Sequence, residues 1–424
     1  MMRSSILSDE LLRQLMAVGQ VDILVGLPTF NNAASVQALV KTLHVGLAKH
    51  FPRERTVLIN PDGGSDDGTL ELVRNAPMAA EELRGTSTLR TTHRVSAPYH
   101  GLPDRAGGVR LVFAAADLLQ ARAVVIVDAD LVSMSPDWVG ELARPIWKKE
   151  AELVVPIHAR HALDGPLLTQ LVRPLLGTSY GRRLRANAAG TFGCSGRFAA
   201  RMLGHPMWER DLTRPALDVW VVATAMAEEL AITQVHVGPS VLAPRPRRVD
   251  LPELFEQVVG TTLTCLERDA AVWMPRAQMS ELPTIGEPQS VQDGPQTFDA
   301  SPLSERFRSG VRDLEPILRE IVSAATLSGL RAAADTGDGA PMIADALWVN
   351  TVYEFAASAH RGVMSREHLT RALVPLYLGR AASFVASLVH ADELAQRERL
   401  AALESEYETR RPYFVECWNA NGRT

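Results

Sequence analysis

Cysteine is scarce: Cys194, Cys265 and Cys417 are the only three in 424 residues, and they are scattered without metal-ligand spacing. That pattern excludes a disulfide framework and suits a reducing compartment. Long apolar runs are missing too, since no stretch approaches the ~18 residues of a membrane span. The N-terminal "MMRSSILSDELLRQLMAVGQ" carries acids where a signal peptide would carry an apolar block, so a cytoplasmic location is expected. There is no surplus of positive charge. The formal net charge is -5, which does not fit a nucleic-acid binder with a basic surface. What remains is a chain long enough for two domains at ~100–200 residues each, with a sizeable core.

The first half alternates short apolar runs with helical stretches. "VDILVGLPTF" reads as a strand ending at Pro28, and "NAASVQALVKTLHVGLAKH" follows at helical spacing with an Asn able to cap it. "RTVLINPDGGSDDGT" is again a strand and a Gly-rich turn, and "DDGTLELVRNA" starts a helix. A third strand is expected in "TLRTTHRV", a helix in "GGVRLVFAAADLLQA", and a strand at Ala123 to Val127. Strands separated by helices predict an α/β fold, a mostly parallel sheet covered by helices on both faces. Ligands of such sheets bind beyond the carboxyl ends of the strands, where Pro28, Asp62 and Asp128 fall.

The expected organisation is an N-terminal helix over 1–20, an α/β domain over 21–274, a linker or mobile loop over 275–304 and a helical region over 305–424. The linker rests on "PTIGEPQSVQDGPQTFDASPLSE", rich in Pro, Gly, Ser and Gln and without an apolar period. In the helical region, "LYLGRAASFVASLVHADELAQ" has an apolar face too wide for a helix fully in water, which predicts a homodimer or larger assembly.

The chemistry-bearing stretch is "AVVIVDADLVSMSPDWV", in which Asp128-Ala129-Asp130 follows a run that reads as a buried strand. Ionised Asp is rarely buried unless it is paired or binds a cation. At a strand end both carboxylates can reach one Mg²⁺ or Mn²⁺, which would neutralise the charge that builds up on a departing diphosphate. A helix cap or turn is the plainer reading of the same D-x-D. Asp62, in "NPDGGSDDGT", is able to accept hydrogen bonds from a base or ribose, or to serve only its turn.

The pieces "LPTFNNAASV", "NPDGGSDDGT", "VDADLVSMSPDWV", "VVPIHARHALDG", "ALDVWVVATAMAE" and "LFEQVVGT" together resemble the GT-A glycosyltransferases, in the bacterial branch of mannosylglycerate and glucosylglycerate synthases. The resemblance runs from about Val21 to Trp273 and extends to the helical tail. It implies a GT-A, Rossmann-like fold and transfer of a hexose from UDP- or GDP-hexose to a small carboxylated acceptor such as glycerate, with retention and a divalent metal. It further implies that Pro28 and Phe30 flank the nucleotide, that Asp62 holds the base side, and that Asp128 and Asp130 face ribose and metal. Arg105 stands where the family keeps a Gly-Lys-Gly loop and joins the donor residues. Asp218 matches an aspartate near the reacting sugar, with a helix cap as the other reading. Arg160 and Thr191 fall among the acceptor residues; an Arg fork binds a carboxylate bidentately, although a surface strand arginine would look the same.

The departures are specific. The family's metal-binding histidine aligns with Leu242 in Val241-Leu242-Ala243, and leucine cannot bind a metal. His236 is a candidate substitute. Arg245, Arg247 and Arg248 in "APRPRRVD" are either a solvated loop or diphosphate contacts that replace part of the metal's charge. Three classes follow: a metal-assisted hexosyltransferase, a nucleotide-sugar-binding protein with lost or altered catalysis, and a nucleotidyltransferase. The last lacks a basic Gly-rich loop after its first strand, since "GLPTFNNAAS" has no Lys or Arg.

Overall fold

A computed structural model describes residues 6–76, 92–99, 105–187, 190–209, 214–244, 250–276, 278–290, 299–337, 339–388 and 391–420. The chain begins with α1 (Asp9–Val18), β1 (Ile23–Gly26), α2 (Val36–His50), β2 (Thr56–Asp62) and α3 (Thr69–Asn75). Next come β3 (His93–Pro98), α4 (Arg105–Leu118), β4 (Ala123–Ile126), α5 (Asp137–Trp147) and β5 (Leu153–Ala159). After α6 (Arg173–Tyr180) and β6 (Arg182–Arg183) the chain forms β7 (Phe192–Ser195), α7 (Gly196–Leu203), α8 (Arg214–Ala227) and β8 (Ile232–Pro239). Then follow α9 (Leu251–Arg268), α10 (Ala270–Trp273), β9 (Ser280–Glu281) and β10 (Thr284–Ile285). The remainder is helical: α11 (Ser301–Asp313), α12 (Glu315–Ile321), α13 (Ala324–Ala334), α14 (Asp345–His360), α15 (Arg366–Leu388) and α16 (Glu393–Asn419).

Two compact units share the chain. The first comprises 1–159, 186–247 and 282–289; the second comprises 160–185, 248–281 and 290–424. In this division α6 and α9 group with the C-terminal helices.

The first unit is built on an eight-stranded sheet in the order β10-β8-β5-β7-β4-β1-β2-β3. The α/β class with a mostly parallel sheet expected from the sequence is what it shows. β1, β2 and β4 are buried along their whole length, as strands covered on both faces must be. Their side chains join Leu39, Leu43 and Leu47 of α2 with Val139 and Leu142 of α5 in one apolar core.

β7 alone runs against its neighbours β4 and β5. Its direction matters for the site. Phe192 at its start pairs with Ile126 at the end of β4, so the residues just before β7 arrive beside the residues just after β4. β8 is parallel to β5, so the segment after Pro239 emerges on the same edge.

Part of the expected linker is ordered. Thr284 and Ile285 pair in parallel with Gln234 and Val235, and Gln234 N–H donates to Pro283 O at 2.8 Å, so the segment supplies the edge strand. Two residues are too few to show a period in the sequence.

In the second unit, α15 buries Leu369, Leu373, Leu376, Tyr377 and Phe384. A β-carbon on Gly310 of α11 would run into Pro375 of α15, so the two helices cross at close range. The wide apolar face that called for a second copy is thus covered inside the unit. Among the described residues no helix is long and apolar enough to cross a membrane.

Candidate functional site

The site grows from the loops that follow β1, β2, β4 and β8 and precede β7. After β1, Asn31 takes a left-handed backbone (φ 54°), a conformation Asn tolerates. Its N–H donates to Ser65 Oγ at 2.9 Å and its Oδ1 accepts the Asp66 N–H at 3.1 Å, lacing this loop to the one after β2.

Asp62 closes β2 and is fully buried. Its Oδ1 accepts the N–H groups of Gly64 (3.0 Å) and Ser65 (2.8 Å); its Oδ2 accepts the hydroxyls of Thr29 and Ser65, both at 2.7 Å. A carboxylate offers about four lone-pair sites, so these four bonds account for them. These bonds tie Asp62, the residue expected on the base side, to its own turn and to Thr29 after β1.

Asp128 and Asp130, 6% and 3% exposed, lie just past the end of β4. Asp128 Oδ1 accepts the Asp130 N–H at 3.0 Å, which shapes the bend, and the Asp128 N–H donates to Thr191 Oγ1 at 3.1 Å. Asp130 Oδ1 accepts Asn32 Nδ2 at 2.5 Å. The Asn32 amide is oriented by its other end, because its Oδ1 accepts the Phe30 N–H at 2.7 Å. Ser35 Oγ donates to Ala129 O at 2.6 Å and completes the link between the first loop and the aspartates. Asn32 and Ser35 were missed by the sequence reading; the run "FNNAAS" directly after a strand end was the signal available.

The segment after β8 runs beside the aspartates. Leu242 forms an isolated antiparallel bridge with Leu131, and the Ala243 N–H donates to Asp130 O at 2.7 Å. The side chain there is apolar and 46% exposed. Among the described residues no three His, Cys, Asp or Glu side chains are grouped to hold a metal. His236 stays within β8, its backbone paired with Ile157. Asp128 and Asp130 offer hard oxygen donors, the ligand type that suits Mg²⁺ or Mn²⁺.

On the other side stand Arg105, at the start of α4, and Asp218 in α8, both buried side chains. Arg105 Nη1 donates to Asp218 Oδ1 at 2.8 Å and Nη2 to Gly190 O at 2.5 Å, while the Gly190 N–H donates to Asp218 Oδ2 at 2.5 Å. Asp218 lies four residues into its helix, so its partners are this guanidinium and this loop, not the helix cap the sequence also allowed.

The structure thus brings Asp128, Asp130, Thr191, Arg105 and Asp218 into one hydrogen-bonded neighbourhood. Pro28 and Phe30, both half-buried, follow β1 on the same edge. Arg160 opens the second unit, where burial lowers its guanidinium from the ordinary arginine range and Asp164 opposes the shift. Arg245, Arg247 and Arg248 lie outside the described residues.

No family model and no curated protein match the chain. Among solved structures it is similar to Mycobacterium tuberculosis glucosyl-3-phosphoglycerate synthase in complex with phosphoglyceric acid. The identity is 20%, over 62% of this chain and 84% of that one, with a TM-score of 0.42. The same synthase in complex with Mn²⁺, uridine-diphosphate-glucose and phosphoglyceric acid gives 20% identity, 62% and 84% coverage and a TM-score of 0.43. A structure described as a mycobacterial protein gives 19% identity, 61% and 77% coverage and a TM-score of 0.44.

Proposed function

We propose that the chain is a hexosyltransferase that moves a hexose from a UDP- or GDP-linked donor to a small hydroxy-acid acceptor such as glycerate, with retention of configuration. The observation that carries this reading is the buried pair Asp128 and Asp130 past the end of β4, tied to the loops beside it. The position is the one where mostly parallel sheets receive ligands. Asp128 and Asp130 would hold a divalent cation, Mg²⁺ or Mn²⁺, which when bound neutralises the diphosphate as it leaves.

The chain's own residues do the positioning. Asn32 fixes Asp130, Thr191 fixes the backbone of Asp128, and Asp62 shapes the turn after β2. Pro28 and Phe30 offer apolar surface to the base. All the residues in this reading belong to the sheet unit.

A second reading, a nucleotide-sugar-binding protein with lost or altered catalysis, is supported by Leu242, which bridges Leu131 and stands where the resemblance implies a metal-binding histidine. A panel of UDP- and GDP-hexoses, assayed for hydrolysis and for transfer to glycerate with Mg²⁺, Mn²⁺ or a chelator, separates the two. Transfer that stops with chelator supports the first. Binding without turnover supports the second, and neither binding nor turnover removes both.

A further inference from the structure

Asp218 and Arg105 do more than neutralise each other. Between them they hold both backbone groups of Gly190: the carbonyl by Arg105 Nη2 and the N–H by Asp218 Oδ2, each at 2.5 Å. Gly190 has φ 82°, and a β-carbon there would lie 2.7 Å from Asp128 Oδ2 and 3.3 Å from its Cγ. The backbone of Gly190 is therefore pressed against the Asp128 carboxylate, closer than any L side chain permits. The next residue, Thr191, accepts the Asp128 N–H through its hydroxyl. The links from the ion pair reach Asp128 through Gly190 and Thr191, and the antiparallel run of β7 is what brings the two ends together.

We infer that Arg105 and Asp218 form a latch that sets Asp128 by gripping the backbone of Gly190, so that Asp218 is a positioning residue for the nucleotide site. The latch acts through Asp128, and its effect on ligand rests on the nucleotide site proposed above. A planar fork is needed to reach a carboxylate and a carbonyl at once, which an ammonium cannot do. Asp218→Asn keeps the shape, removes the charge and leaves a buried guanidinium without its carboxylate.

The test reads two quantities on the full chain. Calorimetry measures UDP affinity with Mn²⁺, and hydrogen exchange measures the peptide around the Asp128 amide without ligand. Asp218→Asn and Arg105→Lys are expected to weaken Mn²⁺–UDP binding about tenfold, the scale of a lost hydrogen bond to a charged group, and to speed exchange at Asp128. Gly190→Ala leaves the ion pair in place, breaks only the last link, and is expected to weaken binding likewise; it keeps the question answerable if an ion-pair variant does not fold. Sugar transfer abolished by Asp218→Asn with Mn²⁺–UDP affinity and Asp128 exchange unchanged would overturn the latch and make Asp218 a group that touches substrate. Unchanged affinity in Gly190→Ala would also overturn it. Absence of UDP binding in the parent would sink the proposed donor site, while the exchange measurement would still decide the latch.

Discussion

A buried arginine of the helical unit and the buried aspartates at the strand ends of the sheet unit are held by different kinds of described hydrogen bond. In the helical unit, Arg380 is fully buried and donates Nε to Gln170 Oε1 (3.0 Å), Nη1 to Ile343 O (2.9 Å) and Nη2 to Asp345 Oδ1 (2.6 Å). Arg399 adds two bonds to the same carboxylate at 2.7 and 2.6 Å. Two guanidinium groups share one carboxylate. At the strand ends of the sheet unit, the described hydrogen bonds to Asp62, Asp128 and Asp130 come from hydroxyls, an amide and backbone N–H groups. These neutral dipoles fix the orientation of the carboxylates. The first arrangement ties α14, α15 and α16 together; the second orients the carboxylates on which the proposed cation site rests.

The contrast is broken most forcefully in the helical unit. Asp345→Ala strands Arg380 and is expected to cost about 3–5 kcal/mol of stability, as loss of one partner from a buried pair does. Denaturant unfolding would show the loss, and nucleotide affinity of the protein that remains folded should be unchanged.

The sheet unit has its own weak point in acid. Neither ring nitrogen of His44 in α2 has a hydrogen-bond partner among the described residues, and burial, assisted by repulsion from Arg94, lowers its pKa to about 4. The unfolded chain therefore binds a proton that the folded chain refuses. Stability from this group is present above the unfolded value of ~6.5 and falls as pH drops toward 4, by on the order of 3 kcal/mol. Unfolding midpoints across that range should slope downward in the parent, and the slope should lessen in His44→Leu. An equal slope in both would remove His44 as the cause.

Asn32→Ala tests the neutral network itself. Loss of the bond to Asp130 should weaken Mn²⁺-dependent nucleotide binding by about 1.5–3 kcal/mol, with little change in metal-free binding. The smallest effect is expected at Leu242→Ala: the side chain is half-exposed, and the change should stay within about 0.5 kcal/mol of parent stability by thermal melting.

The central strands were legible because burial on both faces writes a continuous apolar run, as in "ILVG" and "AVVI". Asp128 and Asp130 stood out because charge at the end of such a run demands an explanation. The insertion of β7 was not legible. "FGCS" carries no mark of direction, and direction alone decides that Gly190 and Thr191 meet Asp128. The edge strand β10 was hidden in a stretch of turn-forming residues, since its two residues pair through backbone groups that composition does not record. The apolar width of α15 was legible, but a helix sequence says that a face is buried and not what buries it.

The most direct test of the strand-end account is calorimetric titration of UDP into the parent, Asp128→Ala and Asp130→Ala, each with Mn²⁺ and with chelator. The parent should bind more tightly with Mn²⁺, and both variants should lose that gain while remaining folded. Equal affinity in all three proteins, with and without the metal, would contradict it.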